Sequence, residues 1–251
     1  MDVLGSAIRA VLELQRSGPQ GAVKHQRGGA VGMAKEAQEI IEAIQESISD
    51  LGGGPRTARR VTVLTLTVAA LDIAWAMCYL IRSEPSRTHT VALTLWRSLL
   101  EIWLRAAFFA VPATDEEVQR YFTTKKMPKR PWPGATKLVD LSPNLLSRIV
   151  GPHFCPEDPG IFNTIASEYG DWSGFVHGGE AWLIAMDGGT EITSQVPQET
   201  ILMKLNRVAV ISLLCHAVGL EISRDQHEQH DLQESHRVLT ERVQAFQRRW
   251  D

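Results

Sequence analysis

The chain has 251 residues, 44% hydrophobic and including seven Trp, which is enough apolar surface to build a packed core and excludes disorder as the default. Its 26 basic and 29 acidic residues leave a formal charge of −3, so no global field draws it to nucleic acid or to an anionic membrane, and any such binding has to be local. Cys78, Cys155 and Cys215 stand far apart with neither zinc spacing nor a disulfide framework, which fits reduced thiols in a cytoplasm.

In chain order, residues 2–16 place Val3, Leu4, Ala7, Ile8, Val11 and Leu14 at three- and four-residue steps, one apolar face of a short helix. No basic region leads into a long apolar one, so no export signal is read there. Ser17 to Gly32 is Gly-rich and basic. Its Lys24, His25 and Arg27 read either as a phosphate contact or as part of a flexible solvated connection, and no nucleotide-loop motif is present. Met33 to Leu51 turns Ala34, Ala37, Ile40, Ile41, Ile44 and Ile48 inward and stops at Gly52-Gly53-Gly54-Pro55, which cannot continue a helix.

The spacing predicts a third helix over about 57–82. Within it, Val61 to Ile81 is interrupted by only Thr62, Thr65, Thr67 and Asp72 as strongly polar residues, long enough to span a membrane. A central Asp costs roughly 2.5–3.5 kcal/mol on insertion, so a buried core helix of a soluble protein without a membrane is the reading adopted. After the turn at Ser83-Glu84-Pro85-Ser86, a helix over 88–110 carries Arg97, Glu101 and Arg105 four residues apart. They form one charged line on a helix otherwise apolar, flanked by Trp96, Leu100, Trp103 and Leu104. A ladder so narrow is expected to be partly buried and therefore paired. Folding the two helices back on each other sets Asp72 level with residues near 99, which predicts an ion pair from Asp72 to Arg97 or Arg105.

Thr114 with Glu117 reads as a capping box opening a helix over 114–123. The next stretch holds Lys125, Lys126, Lys129, Arg130 and Lys137 with no acid and one Trp, Trp132. Such a loop can track a phosphate backbone and stack one base, or be an ordinary solvated loop. Ser142-Pro143 opens a short helix ending near Val150, and another helix is predicted over 158–170. It leads to Trp172-x4-His177-Gly178-Gly179, where the His can serve as acid, base or phosphate donor, or simply cap a helix. A Gly-containing loop with a short extended piece around 181–193 follows, and then helices over 198–223 and 228–250. His227, His230, Asp231, Glu234 and His236 could ligate a metal, but their spacing repeats no known site; they read as a solvated helix face, and no metal is assigned.

The Trp96-Arg97-x3-Glu101-x3-Arg105 helix, the Ala113-Thr114-Asp115-Glu116-Glu117 cap and the Trp172-x4-His177-Gly178-Gly179 segment together resemble a bacterial all-helical family related to HEPN-type and abortive-infection proteins. The resemblance covers roughly residues 60–222. It implies an all-α antiparallel bundle in a single domain: N-terminal helices and linkers over 1–56, a HEPN-like core over 57–223 and a C-terminal helix over 224–251. It further implies that Arg97, Glu101 and His177 converge, and that the protein is a metal-independent, cofactor-free ribonuclease acting as a toxin or phage-defence effector on RNA. In that reading Arg105, Lys125, Lys126, Lys129, Arg130 and Trp132 contact the substrate. The compact Arg-x4-His pair of such ribonucleases has one match here, Arg148 to His153, but Gly151 and Pro152 are expected to break the helix that would carry it. The alternative is a non-catalytic bundle that binds a partner protein, a second copy or a small ligand, with the charged ladder only fixing helix register.

Overall fold

The computed structural model describes residues 29–51, 54–154, 156, 162, 180–187, 196–225 and 229–250. The helices expected over 2–16 and 158–170 lie outside these residues, apart from Phe162, which is helical and buried. Among the described residues the protein is all-α with one small hairpin. Its elements are α1 (Gly29–Asp50), α2 (Ala58–Ser83), α3 (Pro85–Ala110), α4 (Asp115–Thr124), β1 (Lys129–Pro131), β2 (Leu138–Asp140), α5 (Pro143–Phe154), α6 (Glu180–Met186), α7 (Gln198–Ser223) and α8 (Gln229–Trp250).

Local chemistry sets most of the boundaries. The Thr57 hydroxyl accepts from the Arg60 amide at 3.2 Å to start α2, and the Thr114–Glu117 capping box forms in both directions at the start of α4. Pro85 occupies the first turn of α3, where its missing N–H is harmless. Lys125 ends α4 in the left-handed region with φ +59°.

Side-chain contacts fix how the helices run. Trp75 donates to Glu42 at 2.9 Å and Gln45 to Asp72 at 3.0 Å, so α1 and α2 are antiparallel. Arg59, at the start of α2, donates to the carbonyls of Phe109 at 2.6 Å and Ala113 at 2.8 Å, holding the far end of α3 against it. Buried Arg60 reaches the carbonyls of Leu51 and Ile222, tying together the end of α1, the start of α2 and the end of α7. Gly29 lies beside Gln198 at one end of α1 and Gly219 beside Ile48 and Leu51 at the other, so α1 and α7 run parallel. A Cβ at Gly219 would meet Ile48 and Leu51 at 3.4 to 3.7 Å, ordinary contact distance, so the two helices pack closely here. α8 returns antiparallel along both, with Trp250 donating to Glu36 at 2.9 Å and Gln247 to Asn206 at 2.9 Å.

The shared core contains Ile40, Ile41, Ile44, Leu71, Trp96, Trp103, Phe108 and Phe109, all fully buried. Two helices, α2 and α7, are long and apolar enough to cross a membrane; in this fold most of α7's apolar window is buried inside the bundle, and a little under half of α2's.

Three expectations are corrected. The stretch around 181–193 was expected to be a loop, yet 180–186 is helical, as the helix-favouring Glu180, Ala181, Leu183, Ala185 and Met186 allow; residues 188–193, where the short extended piece was also expected, lie outside the described residues. α5 does not stop near Val150 but passes through Gly151 and Pro152 to Phe154. Proline there removes only the bond to the Arg148 carbonyl, and burial of Val150 and Phe154, the latter 6.5 Å from the Phe162 ring, outweighs it. The third correction concerns Asp72, below.

Candidate functional site

The charged ladder of α3 is half-buried, as its apolar flanks require. Trp96, Leu100, Trp103 and Leu104 are buried, while Arg97, Glu101 and Arg105 sit at the edge of the core. Arg105 donates through Nη2 to Glu101 Oε1 one turn earlier, with about a third of each side chain exposed. Arg105 Nε is buried with no partner among the described residues.

Asp72 does not join this group. It is exposed and accepts from Gln45, facing α1. The reason is helical phase: Ala70 and Ala74 point into the core, and Asp72, two residues from each, is carried about 200° round the helix from them. Level placement along antiparallel helices sets height but not azimuth, and azimuth decides contact.

Two cations on α7 were not picked out from the sequence. Lys204 is 1% exposed and its Nζ lies 4.5 Å from the Trp96 ring centroid, a cation–π contact in the core beside the ladder. Because α2 runs antiparallel to both α3 and α7, those two are parallel, and Arg207, one turn beyond Lys204, comes level with α3 between Arg97 and Glu101. Burial pulls the Arg207 guanidinium below its ordinary value. On α3 itself His89 has Nε2 buried without a described partner, and burial pulls its ring below the usual imidazole range. These three were illegible because no motif or spacing sets them apart and their burial is decided by the helices that pack against them.

The basic stretch after α4 is a two-stranded hairpin, not an irregular loop, pairing Lys129 with Asp140, Arg130 with Val139 and Pro131 with Leu138. It divides the expected substrate contacts into two groups. Lys129 pairs with Asp140 at 3.2 Å, and Arg130 donates through Nε to Glu117 at 2.9 Å and through Nη2 to the Pro112 carbonyl at 3.1 Å, its guanidinium 5.4 Å from the Phe108 ring centroid. Both are held by the fold. Lys125 and Lys126 are exposed, Lys125 bonding the Phe122 carbonyl at 2.6 Å. Trp132 is 37% exposed and carries the Arg148 guanidinium 5.3 Å from its ring centroid. Arg148 and His153 are five residues apart, about 140° round α5, and so do not share a face.

His177 lies outside the described residues, as do His227 and the side chain of His230. Among the described residues no group of three or more His, Cys, Asp or Glu is placed to hold a metal ion. Glu234 pairs with Arg237, and His236 turns into the bundle against His216. Compared with family models, curated proteins and solved structures, the chain matches none.

Proposed function

We propose that the protein acts on RNA as a metal-independent endoribonuclease of the HEPN and abortive-infection type, working in the cytoplasm. The observation that carries the reading is the half-buried ladder of α3 set against the cations of α7, which gathers Arg and Lys side chains near the Glu101 carboxylate in a chain whose overall charge is negative. Cations placed where water is partly excluded interact strongly with a phosphodiester and with the charge that builds on it during transfer. In this proposal Arg97 and Arg105 stabilise the phosphate, Glu101 orients Arg105, and His177 takes the 2′-hydroxyl proton. Exposed Lys125, Lys126 and Trp132, joined by Arg148, guide the strand by charge and by stacking. Buried free thiols at Cys78 and Cys215 support an intracellular setting.

The test is incubation of the purified protein with total RNA and with tRNA, with and without EDTA. Cleavage is expected to persist in EDTA and to fall at least 100-fold in Arg97→Ala and His177→Ala, with helical circular dichroism and melting temperature nearly unchanged. If the parent leaves both RNAs intact, or if His177→Ala cuts as well as the parent, the ribonuclease reading fails.

A second reading has its own support. Lys129, Arg130 and the Arg105–Glu101 pair all make internal contacts of the kind that fix register, as expected of a non-catalytic bundle that binds a partner protein. RNA binding without cleavage in the same assay would leave the phosphate contacts standing; neither binding nor cleavage would favour this second reading.

A further inference from the structure

At the opposite face of α7 from the ladder's chemistry, a chain of side chains links three helices that are distant in sequence. Ser47 of α1 places Oγ 2.8 Å from His216 Nε2 of α7 and 2.9 Å from Ser235 Oγ of α8. His216 Nδ1 lies 2.9 Å from His236 Nδ1 of α8, with the two rings 5° from parallel. Both imidazoles are almost fully buried. The series of hydroxyl, imidazole and second imidazole looks like a nucleophile with its base and orienting group. However, Ser47 lies in the last turn of α1, where the backbone amides are engaged in the helix and cannot stabilise an oxyanion.

The arrangement is better understood by counting protons. Two nitrogens 2.9 Å apart form a hydrogen bond only if one carries hydrogen and the other does not. With both rings neutral the chain can close in either direction, Ser47 donating to His216 or accepting from it. One added proton places a charge in the core. A second sets two N–H groups against each other. Among the described residues, α1 presents Ser47 to the pair, and α8 presents Ser235 and the partner ring. Of the charged residues close in sequence, Glu46 is exposed, while Glu234 and Arg237 are exposed and bound to one another. Buried Arg60, near the same end of α7, is taken up by the carbonyls of Leu51 and Ile222.

The interface that these residues join is also poorly closed. α8 buries Leu239, Val243 and Phe246, but the same face carries His236, Thr240 and Gln247 into the core. His236 Nε2, Thr240 Oγ1 and Gln247 Oε1 are buried without a partner among the described residues. Unsatisfied buried polar atoms weaken an interface relative to apolar packing, and among the described residues α8 packs chiefly along α1 and α7.

We propose that α8 is an acid-releasable strap, held on the α1/α7 face near neutral pH by the neutral His216–His236 pair and freed when that pair is protonated. Burial, and for His216 also the charge of His236, holds the rings down to about 3 and about 4. The direction follows from linkage. The detached rings take protons near the ordinary value of about 6.5, so closure is fully favoured above it and weakens as pH falls through it. Between pH 7.5 and 5 the open fraction rises by about 30-fold if one proton drives release and by up to about 1000-fold if two do.

Amide hydrogen exchange of the full chain at pH 7.5 and pH 5, corrected for intrinsic rates and read peptide by peptide, tests this. Peptides from α8 should lose at least 30-fold in protection at pH 5 while α2 and α3 keep theirs. In the His216→Leu/His236→Leu double variant and in the milder His236→Asn, the pH response of α8 should shrink or vanish. The proposal is overturned if α8 is equally protected at both pH values, if α2 and α3 open in step with it, or if a folded double variant responds like the parent. The parent's profile decides even if neither variant folds.

Discussion

Arg130 shows how a residue type that suggests ligand binding becomes structural once its neighbours are known. Glu117 both closes the capping box of α4 and receives Arg130 through two oxygens, so one carboxylate ties the hairpin to the helix. Burial alone would raise the Glu117 carboxyl, but the Arg130 hydrogen bond, the Thr114 amide and the guanidinium charge together hold it below its ordinary value. That stabilisation is present above the unfolded carboxyl value and is lost as pH falls through the lower folded one. Arg130→Ala should cost about 2 kcal/mol in urea denaturation at pH 7, and less at pH 3, where Glu117 is closer to neutral. Lys126→Ala, exposed nearby, should fall within about 0.5 kcal/mol of the parent. The two core thiols allow a simpler check. Burial pushes Cys78 up to about 12 and raises Cys215 as well, so neither should react with a thiol reagent at pH 8 until the protein is denatured.

At the scale of elements, local pattern carried far. α7 spans 198–223 as its apolar period indicates, and α4 opens at the Thr114 cap read from the sequence, whereas α3 begins at Pro85, three residues before the expected start at 88. Removing one such signal has a contained effect: Thr114→Ala should destabilise the protein by about 1 kcal/mol, with the loss of amide protection concentrated in the first turn of α4. What local pattern misses is equally specific. The strands of the hairpin are three residues each, too short to show alternation. Pro152 reads as a breaker until the burial of Phe154 is known. Asp72 was assigned the right height on the wrong side, because the face that α2 buries is set by which helices flank it and not by its own residues.

Across the whole molecule, the polar groups that matter most are brought together from far apart in the chain. Lys204 meets Trp96, Arg60 meets both Leu51 and Ile222, and Ser47 meets His216 and Ser235. None of these pairs lies within one helical turn or one motif, which is why the ladder was legible while the cations beside it and the histidine pair behind it were not. His216 sits between Cys215 and Ala217 in a helix apolar on nearly every side, where a single His carries no sign of its partner.

The parallel contact between α1 and α7 sets an order on how the chain can fold. Neighbouring helices such as α2 and α3 can pair as soon as their turn forms, since little chain entropy is lost in closing so small a loop. α1 can pair with α2 in the same way, as the Trp75–Glu42 and Gln45–Asp72 bonds join them, but its contact with α7 waits until α2 through α6 have been laid down. Closure of α7 on α1 is therefore a late step, and until it occurs Ile48 and Leu51 lack the Gly219 face they pack against. The period in which this chain is most exposed to self-association is the interval between the pairing of α1, α2 and α3 and the arrival of α7.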